Sequence, residues 1–477
     1  MSATSVAEVR TLPELGQSGV EKVVVALAVG LLAYLASCVV LPQDLTTNNF
    51  GSEWQRMSMQ PLAFLDPAHA AEPKPLFWFP HRLLAPLLAH LVGMGGSGWV
   101  SFTQLATIML LALVYHVARW RGAVAFDAAL VTLAVATTGA VQVYKYDMIG
   151  YVDGLGYSLT LLTWLSARRT VLFWTLILLN LCNHEMVAFF LPWFLFVRRQ
   201  AHARISFDVI GTIAVLGLYA AFRAWIGAHV ATTYDAGYFL EHTFLPITFL
   251  WLWSTTAVYQ LQSFGPMLAI VIWHALRMRP GNERMHTLLI VGGFLVIFMF
   301  AYDVNRHSNM MMIPLIIASC RFLGDARSRI VYVLLILAAV QVNSGAFSTN
   351  PWTTDLPWLY DHFHLRRVFD WFNGVLIGDL HGNELILPAN RFNFTMQWEL
   401  LVGACQRLWP QMFALAWEAL FLLALALWFA RRGIGGSRVT TAGLVIPATP
   451  GGAADVFRRA TAALWHRPRT RGPRVGT

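Results

Sequence analysis

Charge is what this chain has least of. Only 12% of its 477 residues are Asp, Glu, Lys or Arg, 57% are hydrophobic, and the mean hydropathy is +0.55. A soluble domain of this length needs a charged surface to keep its core in water, so that class is excluded. Cysteine is scarce too: Cys38, Cys182, Cys320 and Cys405 are scattered, with no CxxC pair and no metal-ligand spacing. Three of them fall in apolar runs and read as packing residues. No P-loop, GxSxG or CxxCH is present, and "HEMVA" at 184–188 lacks the second histidine of HExxH, so a zinc protease is unsupported. No internal repeat is visible.

What the chain has is apolar runs that approach the roughly 20 residues needed to cross about 30 Å of hydrocarbon. The fold class is therefore all-α, a polytopic transmembrane helical bundle. Residues 1–21 are polar and read as a cytoplasmic segment. The first run, 22–42, has no small-residue cleavage site and reads as a retained span, not a signal peptide. Further spans are expected near 98–118, 123–144, 148–167, 207–226, 247–276, 286–302, 308–323, 329–345 and 411–430. Basic groups recur at alternate loops: Arg119/Arg121, Arg168/Arg169, Arg198/Arg199/Arg204, Arg277/Arg279, Arg327/Arg329 and Arg431/Arg432. That alternation marks cytoplasmic loops and puts both termini inside. The net charge of +9, much of it in these groups and in the tail 431–477, suits membrane lipid headgroups and not nucleic acid.

The stretch "LILLNLCNHEMVAFFLPW" (176–193) breaks this pattern by placing Asn183, His184 and Glu185 among apolar residues. It is flanked by Arg168/Arg169 and by Arg198/Arg199. If both flanks are cytoplasmic, residues 170–197 go in and return as a short hairpin, with arms of about 18–20 Å at 1.5 Å per residue. The turn would lie in the outer half of the bilayer, which requires a protein or watery surround. The rival is a single tilted span with His-Glu at its centre. The hairpin brings the count to about 12 membrane segments, 22–345 forming the transmembrane core. Segment 43–97 would be an external loop containing a short surface or re-entrant helix at 80–93, and 346–410 an external loop or lid.

This topology gathers ionisable groups at one external face, where such groups usually serve a cavity, a partner or a pathway. Each has a plain structural reading as well. Asp44, with Glu53 nearby, can be a loop carboxylate in water. Asp147 can cap the fourth span. Asp303 and Arg306 can be an i,i+3 pair holding an outer turn. His81 and Arg82 can hold an anion or snorkel to headgroups. Tyr234, Asp235, Glu241 and His242 belong to another outer loop. Asp153 is expected one turn inside its span, in "DGLG", where small residues allow close helix approach. A buried His184-Glu185 pair needs partners. "NFT" at 393–395 is a formal glycosylation acceptor.

With Asp44 soon after the first span, Asp147 and Asp153 at the second external turn, a mid-chain pair of short helices and Arg306 at a later turn, the chain resembles the GT-C superfamily of membrane glycosyltransferases. The resemblance covers the plan of residues 1–345. It implies a GT-C-like fold in the bacterial inner (plasma) membrane and transfer of a sugar from a polyprenyl-phosphate donor to an external acceptor. It implies Asp44, Asp153 and Glu185 as catalytic carboxylates, Asp44 taking the acceptor's proton. Arg82 and Arg306 would hold the lipid phosphate, and Asp147, His184 and Asp303 would help bind the donor. The chain departs from the family in lacking a tight DxD or DD pair and a large external C-terminal domain. That leaves a divalent cation, the acceptor and the oligomeric state open. Two rivals remain: a transporter using Asp153, His184-Glu185 and Glu418 as an ion or proton relay, and a lipid-linked polysaccharide polymerase or related transferase.

Overall fold

The apolar runs are helices. In the computed structural model the described residues are 19–40, 47, 49–66, 80–146, 149–201, 205–229, 263–278, 282–297, 309–347, 416–417 and 419–435. They form α1 (Gly19–Val40), α2 (Asn49–Met59), α3 (Leu84–Leu91), α4 (Trp99–Trp120), α5 (Ala125–Ala136), α6 (Gly139–Tyr146) and α7 (Asp153–Leu165). Next come α8 (Thr170–Asn183), α9 (Leu191–Gln200), α10 (Ile205–His229), α11 (Leu268–Arg277), α12 (Asn282–Ile297), α13 (Met312–Phe322) and α14 (Ala326–Phe347). A further helix runs over 419–432, and no strand occurs among the described residues. A helix satisfies its own backbone donors and acceptors, as hydrocarbon surroundings demand.

Three of these helical segments, Val20–Val39, Gly96–Trp120 and Ile205–His229, are long and apolar enough to cross a membrane. A fourth candidate is the pair Ala125–Ala136 and Gly139–Lys145, bent by 46° at its break. Much of this apolar surface faces outward: Leu32 is 65% exposed, Val39 84% and Ile213 67%. Exposed apolar surface on that scale suits lipid, not water.

Several expected spans change shape. The one expected at 148–167 is only α7, which starts at Asp153 because Gly150, at φ 85°, and its neighbours turn first. Asp153 is thus the first helical residue, not one turn inside. The one expected at 123–144 breaks at Thr137-Thr138. There the hydroxyls of Thr137 and Thr138 donate back to the carbonyls of Ala134 (2.8 Å) and Val135 (2.7 Å), and the Gln142 amide donates to Ala136. These side-chain bonds supplement the backbone N–H bonds from Thr137 to Ala134 O and from Thr138 to Val135 O, so the break leaves these carbonyls satisfied away from water. Residues 80–93 supply α3, eight residues long, as a short helix.

Close backbone contacts fix the core. A Cβ on Gly30 of α1 would lie 2.7 Å from the Ala112 nitrogen of α4, so only glycine lets these helices touch. Gly154 and Gly156 of α7 stand against side chains: a Cβ would lie 3.1 Å from the Thr107 hydroxyl of α4 and from the Asn183 amide of α8, so those groups would have to shift. The Asn180 amide donates to Gly156 O and the Asn183 amide to Val152 O, both at 3.1 Å. Two buried asparagines thereby join α8 to α7, replacing hydration that the interior lacks.

The chain does turn back after Asn183. Arg198, near the end of α9, donates to the Ala167 carbonyl (2.6 Å) and the Thr170 hydroxyl (2.9 Å) at the start of α8, and to Asp208 (2.9 Å). Residue 198 therefore lies level with residues 167–170, which a single tilted span would prevent. At 1.5 Å per residue, the 14 residues of α8 extend about 21 Å, short of a full crossing.

Arginines collect at the end of the bundle marked by Arg198. Glu283 accepts from Arg121 (2.8 Å) and Arg321 (2.5 Å), with His274 at 3.3 Å, and Asp127 accepts from Arg329 (2.6 Å). These pairs tie together the ends or starts of α4, α5, α11, α12, α13 and α14. The hairpin tip, the start of α4 and the start of α7 lie at the opposite end, where Trp99 Nε1 donates to Gly150 O at 2.8 Å.

Candidate functional site

At that opposite end five ionisable side chains converge: His81, Arg82, Asp153, His184 and Glu185. Arg82 stands just before α3, Asp153 opens α7, and His184-Glu185 form the tip between α8 and the 3₁₀ turn Glu185–Phe190. Arg82 forks onto Glu185, Nε to Oε2 at 2.9 Å and Nη2 to Oε1 at 2.5 Å. A planar guanidinium matches two carboxylate oxygens, so this pair is geometrically specific. The Arg82 guanidinium also lies over the Trp54 ring, 5.8 Å from its centroid, and Trp54 meets the edge of Tyr151 at 5.0 Å. His81 Nε2 is 3.5 Å from Glu185 Oε2. Burial pushes the His81 imidazole below its ordinary pKa, against the upward pull of Glu185; the charges of Arg223 and Arg82 also push it down.

His184 is held by its own turn. The Met186 backbone N–H donates to His184 Nδ1 at 3.2 Å, so in the neutral ring the proton belongs on Nε2. Nε2 faces Asp153 Oδ1 at 4.0 Å, and Nδ1 lies 3.7 Å from Glu185 Oε2. A distance of 4.0 Å is too long for a direct hydrogen bond. Asp153 is fully buried, whereas the Glu185 side chain is 19% exposed. Of these two carboxylates Glu185 is therefore the closer to solvent and Asp153 the deeper. As the first residue of α7, Asp153 also lies where helix-end N–H groups favour negative charge.

Of the residues singled out from the sequence, Arg82, Asp153, His184 and Glu185 are brought together. Asp44, Asp147, Asp303 and Arg306 lie outside the described residues, as do Tyr234, Asp235, Glu241, His242, Glu418 and the segment 348–410. Glu53 is paired with Arg56 on its own helix. Among the described residues no group of three or more His, Cys, Asp and Glu side chains is arranged to hold a metal ion.

Sequence reasoning missed Trp54, Asn180, Tyr219 and Arg223. The Arg223 guanidinium on α10 lies 3.5 Å from the Tyr219 hydroxyl, one turn before it. A signal was present: an arginine inside "AAFRAWIG" is as anomalous in an apolar run as His184 is. Asn180, three residues before Asn183, was likewise a polar residue on an apolar helix. Compared with protein-family models, curated proteins and solved structures, the chain finds no match.

Proposed function

We propose that the chain is a GT-C-like membrane glycosyltransferase that moves a sugar from a polyprenyl-phosphate donor to an acceptor at the external face. One observation carries the reading: His81, Arg82, Asp153, His184 and Glu185 meet at the end of the bundle opposite the arginine-rich one. If the arginine-rich end is cytoplasmic, the cluster faces outward, where lipid-linked donors present their sugars. The reading includes about 12 membrane segments, both termini cytoplasmic, in a bacterial inner membrane.

In this reaction the acceptor hydroxyl attacks the anomeric carbon while the lipid phosphate leaves with the bonding electrons. Asp44 takes the hydroxyl proton as that bond forms. Arg82 and Arg306 stabilise charge growing on the departing phosphate, which requires Arg82 to share its fork between Glu185 and the phosphate. Asp153 orients His184, and His184 with Glu185 positions the sugar. Asp147 and Asp303 contribute to donor binding.

Purified protein in nanodiscs, given polyprenyl-phosphate sugars, is expected to release free lipid phosphate. Asp44→Asn is expected to stop that release, and wild-type protein that turns over no donor refutes the reading. A second reading, transport, draws on the 46° break between α5 and α6, since broken helices line ion and substrate sites in transporters. Solute counterflow through proteoliposomes, without lipid turnover, decides for it.

A further inference from the structure

The joined ends of α2 and α3 present apolar side chains that the site above does not use. Helix α3 closes in a glycine turn, with Gly93 at φ 70° and the Met94 N–H donating to Ala89 O at 2.8 Å. Such a turn satisfies a carbonyl that the helix end leaves over. It also leaves Leu91 69% and Val92 60% exposed. The end of α2 lies against this turn: His90 Nδ1 is 3.2 Å from Ser58 O, and the Gly96 N–H donates to the Ser58 hydroxyl at 2.9 Å. Just beyond Ser58, Met59 is 53% exposed, and Leu62 and Leu65 of the turn that follows are exposed as well.

Bonds to α4 fix the level of this edge. Gly96 opens the candidate span Gly96–Trp120. A Cβ on Gly96 would lie 3.0 Å from Met59 Cγ, and the Gln55 amide donates to Gly96 O at 3.1 Å. Met59 therefore stands against the residue at which that span begins. Farther along the same span Leu105 is exposed, so the edge continues the outward apolar surface of the bundle. Arg56 and His90 are exposed beside it. Apolar groups bordered by cationic or polar ones suit the boundary between headgroups and acyl chains, where such segments sink about 5–10 Å.

We infer that the joined ends of α2 and α3 dip into the lipid leaflet on the hairpin-tip side of the bundle. Water is a poor occupant, because the edge gathers large apolar side chains on backbone that its hydrogen bonds hold in place. A second copy of the chain is a poorer fit than lipid. A standard protein interface engages roughly 20–30 residues a side, and this edge offers Met59, Leu62, Leu65, Leu91 and Val92. Lipid needs no matching surface and is already the medium around the span that the edge touches. Helix α2 carries Trp54 and α3 follows Arg82, so the leaflet anchors the two helices that bring these residues to the hairpin tip. The inference concerns a surface and stands whether or not the transferase reading holds.

The test is a spin-label depth measurement on the whole protein, with the native cysteines replaced and one copy in each zwitterionic nanodisc. Nitroxides at Met59→Cys and Leu91→Cys are expected to collide more with oxygen, which concentrates among acyl chains, than with a water-soluble nickel chelate. Arg56→Cys is expected to show the reverse ratio. Leu62→Cys and Val92→Cys stand in if either of the first two variants does not fold. Nickel collisions that dominate at positions 59 and 91, as at 56, put the edge in water and overturn the inference. Shielding from both reagents in single-copy discs means that another part of the chain covers the edge, which also overturns it. Labels open to nickel in single-copy discs and shielded only when two copies share a disc assign the face to a second copy instead of lipid.

Discussion

Arg82 and Glu185 stand 103 positions apart in the chain and meet in a two-pronged ion pair. The pair joins the segment before α3 to the tip of the hairpin, so it couples a loop to the helical core. Removing one partner strands a largely buried charge. Arg82→Ala and Glu185→Gln are each expected to lower Tm, and their double variant to lose less than the sum. A coupling energy of about 0.5–3 kcal/mol is expected from the cycle. Strict additivity in thermal unfolding would show that the contact carries no energy.

Arg198 holds the hairpin closed, with three of its groups bonded to Ala167, Thr170 and Asp208. Arg198→Ala is expected to cost about 3–5 kcal/mol, because Asp208 is left buried without its cation. Urea unfolding of the detergent-solubilised protein measures this. Arg198→Ala with Asp208→Asn is expected to recover part of the loss.

The return of the chain also has a topological consequence. With the native cysteines replaced, Arg168→Cys and Arg199→Cys are expected to react with an impermeant maleimide from the same side of a sealed vesicle. Arg56→Cys, exposed on α2 near the clustered site, is expected to react from the other side. Labelling of positions 168 and 199 from opposite faces contradicts the hairpin.

Glu283 ties three helix ends together and gives stability a pH dependence. Burial pushes its carboxyl up, but hydrogen bonds from His274 and Arg321 and the charges of Arg121 and Arg321 outweigh that and hold it well below the usual carboxylate range. The unfolded chain ionises this group near about pH 4.3. A depressed folded value means that its stabilisation is complete above the unfolded value and is lost as pH falls toward the folded one. The Tm gap between wild type and Glu283→Gln is therefore expected to stay constant above about pH 5 and to narrow below about pH 4.3. A gap that widens with acid contradicts the clamp.

Gly30 permits backbone contact between α1 and α4. Gly30→Ala places a methyl against backbone atoms that have no rotamer to yield. The expected cost is about 1–3 kcal/mol, read as a lower Tm in detergent. No change in Tm would mean that α1 packs farther out than its contacts indicate.

Parts of the site could be read along the chain and parts could not. His184-Glu185 announced themselves because ionisable groups among apolar residues need partners. The hairpin followed from two arginine flanks read as lying on the same side, too close together for two full crossings. The identity of the partners was hidden. Arg82 reads equally well as a headgroup anchor until α3 packs beside α8, and Trp54 looks like any interfacial tryptophan until it lies under the guanidinium. The position of Asp153 was misread by a turn, since helix starts depend on the glycine turn before them and not on the apolar run alone.

Composition alone determined that the chain is helical and apolar enough for lipid, because hydrocarbon leaves the backbone no other local way to satisfy its polar groups, and because charge is too sparse for water. Tertiary packing decided which charges meet. Residues brought side by side by distant helices carry no shared period in the sequence, and an ion pair closes only where both side chains lose water together. Glu185 could have faced Arg82, Arg223 or solvent; the contact of α3 with the hairpin chose Arg82.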